Sequence, residues 1–125
     1  MLAAAEGLLA RLRYHYDAQA FHRALEETWE VVGAANRYVD EQAPWTLRKT
    51  DPARMATVLY TLMETLRHLA ILTQPVMPTA MGQMLDQLGV DAAARDFTVL
   101  GAAGALAAGT ALPAPAGIFP RFVEG

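Results

Sequence analysis

At 125 residues the chain is long enough to bury one apolar core and leaves little room for a second. A composition that is 54% hydrophobic and 18% charged excludes a disordered chain. The absence of cysteine excludes disulfides, thiolate nucleophiles and cysteine zinc sites together.

The start, "MLAAAEGLLARLR", has no basic region ahead of its apolar residues and carries Glu6 among them, so it does not read as a signal peptide. With no cysteines, the default location is the cytoplasm. Leu2, Leu8, Leu9, Leu12 and Tyr16 fall at spacings of three, four and seven, which predicts a first helix over about 2–16. Asp17 is placed to cap a second helix that runs to about Glu41. Phe21, Leu25, Val32 and Val39, with Ala24, Val31, Ala35 and Tyr38 beside them, form its apolar stripe. Glu26, Glu27, Glu30, Arg37 and Asp40 form its wet side, and Trp29 sits half-buried at the stripe's edge.

That helix is expected to end at Ala43-Pro44, so that Trp45 stands where the backbone leaves regular structure. Asp51-Pro52 then starts a third helix, a capping carboxylate followed by proline at the first helical position, extending to about Thr73. Met55, Leu59, Leu62, Leu66 and Leu69 repeat at fours and threes, the pattern by which a helix offers one seam to bundle neighbours. "TQPVMPTA" breaks it. A fourth helix is expected over about 78–88, with Met81, Met84, Leu85 and Leu88 on one face and Gly89 as its left-handed cap. "DAAARDF" is short enough to add one more turn. No strand pattern appears, so the fold class is all-α, an antiparallel bundle of about four helices over residues 1–96. Residues 97–125, rich in glycine and proline, read as an extended arm whose Ile118, Phe119 and Phe122 pack back on the bundle or on a domain absent from this chain. From Phe97 to Pro120 no residue is charged, but the glycines and prolines there are incompatible with a membrane-spanning helix.

The chain contains no Gly-rich phosphate loop, no G-x-S-x-G elbow and no H-E-x-x-H pair. No catalytic residue and no cofactor is assigned. Glu64 and His68 stand four apart on the third helix and could share a hydrogen bond, while His15 and His22 straddle a predicted break. A carboxylate-bridged metal pair needs two Glu-x-x-His pairs and further inward glutamates, which this spacing does not supply, so no metal site is expected.

What remains is a cluster around Trp45. Arg37, Arg48, Lys49 and Arg54 flank it, and Tyr38 is near. The net charge of -3 gives no global attraction for phosphate, so nucleic-acid binding would have to be local or shared with another domain. An aromatic ringed by cations suits single-stranded nucleic acid, because a base stacks on the ring while cations hold adjoining phosphates. The same residues equally fit a tryptophan that seals the bundle end beneath an ordinary charged loop. From the residues alone both readings stand.

The ordered set Asn36, Tyr38, Pro44 and Trp45 in "ANRYVDEQAPWTLRK" is followed by "ARMATVLYTLMETLRHLAILTQPVMPTAMGQMLDQLG", with its break at Pro75 and Pro78, and then by "IFPR". This pattern resembles the anticodon-binding domain of bacterial methionyl-tRNA synthetase over most of the chain. The resemblance implies that Trp45 stacks on the first anticodon base, a cytosine, in recognition of CAU, with Pro44 fixing its approach. It implies supporting roles for Asn36 and Tyr38, together with Asp40 and Glu41, in holding the helix end. Arg48, Lys49 and Arg54 are phosphate candidates on charge. The implied partners are the tRNA anticodon loop and a catalytic domain elsewhere.

Two departures bear on this. The class I catalytic domain, with its HIGH-like and KMSKS-like motifs, has no counterpart here, so no activity of this chain alone is expected. The family's Asn-x-x-x-Arg pair, on the domain's first helix, is also missing. That helix would precede Met1, so the chain is expected to begin inside the domain and leave an open groove, which a second copy could fill. A protein-interaction or dimerisation domain is the alternative function.

Overall fold

A computed structural model describes residues 1–124. These form an all-α bundle with no strand among the described residues. Its helices are α1 (Leu2–Glu6), α2 (Leu8–Asp17), α3 (Phe21–Gln42), α4 (Pro44–Thr50), α5 (Pro52–Thr73) and α6 (Pro78–Gln87), followed by two 3-10 turns at Phe97–Val99 and Gly101–Gly104.

Helix α5 is the axis of the molecule, with α1, α3, α4 and α6 all packed against it. On one side Ala5, Leu8, Leu12, Ala24 and Val31 close a core with Leu69 and Leu72. On the other, Met81, Leu85, Leu88 and Val90 close a second core with Ala70 and Ile71. Two cores on one helix explain why α5 is buried all round from Arg67 to Thr73 rather than along a single seam. The seam itself is shifted from the expected one: Val58, Leu62, Thr65, Leu69 and Leu72 are buried, whereas Leu59 is exposed.

The predicted elements need three corrections. The first helix is nearly continuous through Gly7, which keeps a helical backbone between α1 and α2, but α2 runs through Asp17. It closes at Gln19 in a left-handed conformation (φ 55), where the Ala20 amide donates to the His15 carbonyl at 2.8 Å. Asp17 therefore lies inside the last turn of α2 and cannot cap α3, whose N-cap is Ala20 without a side-chain bond. Second, the buried face of α3 is Ala24, Thr28, Val31 and Ala35, one turn-position away from the large apolar residues. Ala24 and Val31 of this face enter the core shared with α1, α2 and α5, which turns Phe21, Leu25 and Trp29 outward and leaves Trp29 55% exposed. Third, Ala43-Pro44 ends α3 but immediately starts α4, because proline at the first helical position lacks only an amide that would be unpaired there anyway.

Two other local signals are realised as read, and a third is not. The Asp51 carboxylate accepts the Arg54 amide at 3.1 Å, and Pro52 opens α5. Gly89 (φ 70) ends α6, with the Val90 amide donating to the Leu85 carbonyl at 3.0 Å and the Gly89 amide to Asp86 at 3.1 Å, the double closure of a helix end in which glycine bears the left-handed residue. "DAAARDF" adds no α-turn; it is a loop held by Arg95, which donates to the Gly82 and Val90 carbonyls, and by Gln74, which donates to the Arg95 carbonyl.

Beyond residue 96 the chain is fastened by polar side chains of α5 and α6. Arg67, wholly buried, donates twice to the Glu64 carboxylate (3.0 and 3.0 Å) and also to the carbonyls of Val99 (3.0 Å) and Gly101 (2.9 Å). Glu64 in turn accepts the Leu106 amide at 2.6 Å. His68 bonds the Glu64 carbonyl through Nδ1 and accepts the Gly101 amide at Nε2, an arrangement that places its proton on Nδ1. The Tyr60 hydroxyl donates to the Leu106 carbonyl, and the Gln87 amide pairs with both polar groups of Ala116. Ile118 is then half-buried, Phe119 borders an apolar groove, and Phe122 is 89% exposed.

Candidate nucleic-acid interface

The short helix α4 decides what the cluster around Trp45 looks like. Residues three and four apart share a helix face, so Trp45, Arg48 and Lys49 are presented together from α4. All three are exposed, and Trp45 is 60% exposed, which rules out the role of a buried plug. The two cations occupy the last turn, where they also complement the helix dipole.

The start of α4 is set by Ala43, which serves at once as C-cap of α3 and N-cap of α4 with a left-handed backbone (φ 45, ψ 64). Its amide donates to the Val39 carbonyl at 3.0 Å, and its carbonyl accepts the Thr46 amide at 2.9 Å. At the other end the Asp51 amide donates to the Leu47 carbonyl at 2.8 Å, so α4 runs directly into the cap of α5. Arg54, one turn into α5, sends its Nη2 back to the Gln42 side chain at 2.9 Å.

The supporting residues on α3 do not share a surface. Tyr38 borders a shallow depression with Met1, Ala4, Ala34, Arg37 and Glu41. Asn36, two residues earlier and so on nearly the opposite side of the helix, borders an apolar groove of about 330 Å³ with Trp29, Val32, Met77, Met84 and Phe119. Pro44 is half-buried at the first position of α4. Arg37 lies apart from Trp45, in a charged groove with Arg11, Glu26, Trp29 and Glu30. The sequence marks Ala43-Pro44 as the helix end but does not single out Gln42, and nothing in it alone places Gln42 beside Arg54.

Of the histidines and acids considered for other chemistry, His15, Glu64 and His68 are engaged elsewhere, and His22 is exposed on α3. His15 and Arg11 both reach Glu27, at 3.4 and 2.9 Å. Glu64 and His68 belong to the buried clasp on the chain beyond residue 96.

Residues 1–124 match the model of the anticodon-binding domain of methionyl-tRNA ligase. The chain belongs to this family. It is 49% identical over 126 residues to a methionine–tRNA ligase of Mycobacterium bovis, covering 98% of this chain and 24% of that protein. It is 50% identical over 123 residues to the enzyme of Rhizobium meliloti, with the same coverage. Among solved structures, the apo crystal structure of Mycobacterium tuberculosis methionyl-tRNA synthetase superposes with a TM-score of 0.93 at 48% identity, over 99% of this chain and 25% of that one. The same enzyme in complex with methionyl-adenylate gives a TM-score of 0.91 at 50% identity, over 96% of this chain and 24% of that one. The chain thus spans about a quarter of the length of these methionyl-tRNA ligases, and its fold is that of their anticodon-binding part. No helix among the described residues is long and apolar enough to cross a membrane.

Proposed function

We propose that the chain is a tRNA-anticodon-binding module that recognises the CAU anticodon by stacking its first base on Trp45. The observation that carries the reading is the exposed indole on α4 with Arg48 and Lys49 on the same helical face. A base stacks on such a ring for roughly 1–3 kcal/mol, and cations one turn away neutralise the flanking phosphates. Pro44 fixes the entry to α4, Asn36 and Tyr38 support α3 from opposite sides, and Arg54 stands at the start of α5 bonded to Gln42. The module is non-catalytic by itself, works in the cytoplasm where tRNA is charged, and delivers the anticodon loop to a catalytic domain to which it is linked.

A titration of a CAU stem-loop tests this. The Trp45→Ala chain should bind about 5- to 150-fold more weakly than the parent, the range that corresponds to loss of one stacked base. Affinity should also fall with salt, by about 0.7 log units per decade for each phosphate contacted in a single strand. Equal affinity of parent and variant removes Trp45 from the mechanism.

A separate observation favours a second reading, a helical protein-interaction or dimerisation domain. Phe21, Leu25 and Trp29 stand outward on α3 and Val76 beside them, a contiguous apolar face on which another copy could close. Sedimentation velocity across a hundredfold concentration range decides it: a concentration-dependent dimer supports the reading, and a monomer throughout defeats it.

A further inference from the structure

We propose that Arg54 and Gln42 form a strut that positions Trp45, and that Arg54 acts through this bridge rather than through phosphate. The inference rests on the stacking reading for its functional meaning, but its structural content stands apart from it.

Trp45 is exposed, so burial does not fix its direction. Its orientation depends on how α4 leaves α3, and that angle is set at Ala43, whose left-handed backbone is one an L-residue adopts only at a cost and keeps only when its surroundings enforce it. The enforcing element is a closed circuit of hydrogen bonds around α4. Gln42, the last residue of α3, accepts from Arg54 Nη2 at 2.9 Å. The Arg54 amide donates to the Asp51 carboxylate at 3.1 Å. The Asp51 amide donates to the Leu47 carbonyl of α4 at 2.8 Å, and α4 returns through Ala43 to Gln42. Opening the Gln42–Arg54 link leaves the angle of α4 determined by Ala43 and the packing of α4 on α5, so the indole samples a wider cone and the stacking-competent orientation is less populated.

The strut and phosphate roles of Arg54 separate cleanly, because Gln42 carries no charge. Gln42→Ala, Arg54→Met and the double variant are titrated with the CAU stem-loop across salt, beside Trp45→Ala. In each chain Trp29→Phe isolates the Trp45 emission, and its time-resolved anisotropy is recorded without RNA. A strut predicts that either single change weakens binding by about 2- to 12-fold, the span of one hydrogen bond's net contribution. It also predicts that the double variant is no weaker than the worse single, that the salt slope is unchanged, and that Trp45 anisotropy decays faster in the free protein. The proposal is overturned if Gln42→Ala binds as the parent does, if Arg54→Met flattens the salt slope by about 0.7 as loss of a single-strand phosphate contact requires, or if the anisotropy does not change. Should Trp45→Ala itself bind like the parent, the stacking reading has failed, and the anisotropy of the free protein decides the strut on its own.

Discussion

At the scale of single residues, the decisive contrast is between two tryptophans that both end up in solvent. Trp29 is exposed because small residues occupy the buried face of α3 and rotate it outward. Trp45 is exposed because Pro44 starts a new helix instead of a loop that would fold the ring inward. Removing a side chain so exposed should cost little in folding. Thermal melts of Trp45→Ala are expected within about 0.5 kcal/mol of the parent, as for surface positions generally, even as stem-loop affinity falls. Ala43 behaves oppositely. Glycine there avoids a left-handed cost of about 1–2 kcal/mol and gives back part of it as unfolded-state entropy, for a net gain of roughly 0.5–1 kcal/mol. Urea unfolding should register Ala43→Gly as more stable, while the looser hinge weakens stem-loop binding.

Asp96 offers a pH-dependent test at the same scale. The Thr98 hydroxyl and then the Thr98 amide donate to its carboxylate, holding the group below the usual carboxylate range. A carboxyl depressed in the folded state contributes fully above its unfolded value, and the contribution is lost as pH falls through the lower folded value. The protection of the Thr98 amide, its exchange relative to the intrinsic rate, should therefore fall as the solution is acidified through that window, whereas in Asp96→Asn it should not vary with pH.

Among the elements, α5 carries an arrangement with large consequences for stability. Glu64 (2% exposed) and Arg67 form a fully desolvated pair whose remaining hydrogen-bonding groups are met by backbone from Val99, Gly101 and Leu106. Such a pair adds little over a well-packed apolar substitute, but breaking it strands a charge at a cost of about 3–5 kcal/mol. Arg67→Met should lower the urea-unfolding free energy by that order. Glu64→Gln with Arg67→Met should lower it by less than the sum, since both changes remove one interaction. The same clasp makes Gly104 obligatory: a Cβ there would strike the Val99 carbonyl and crowd the Arg67 guanidinium. Along the sequence, Glu64 and His68 suggest only a local hydrogen bond four apart, because the backbone groups that complete the clasp lie more than thirty positions away.

For the whole molecule, the question is whether residues 97–125 are separable from the bundle. We propose that residues 1–96 form the bundle and 97–125 an arm on which it depends, since the arm supplies acceptors for Arg67 and a donor for Glu64. A chain truncated after residue 96 should be markedly destabilised, by a margin comparable to Arg67→Met. Adding Arg67→Met to the truncated chain should then cost less than it does in the parent, and differential scanning calorimetry on the four chains checks this. A truncated chain that melts with the parent defeats the proposal.

Local signals in the sequence determined the bounds of α5 and α6: the Asp51-Pro52 start, the proline break after Thr73 and the Gly89 stop. These act within one or two turns, through capping, proline's missing amide and the left-handed tolerance of glycine, so a linear reading captures them. The residue order around Asn36, Pro44 and Trp45 likewise identified the family, because the combination is specific even where each residue is not. Tertiary structure alone decided which face of α3 is buried, that Trp45 points to solvent from a helix with Arg48 and Lys49 beside it, and that Gln42 meets Arg54. It also decided that a buried ion pair on α5 fastens the chain beyond residue 96. Each of these depends on how closely two helices approach or on a contact between residues distant in sequence, and neither is encoded in any local window. Packing chooses among faces that propensity leaves nearly equal.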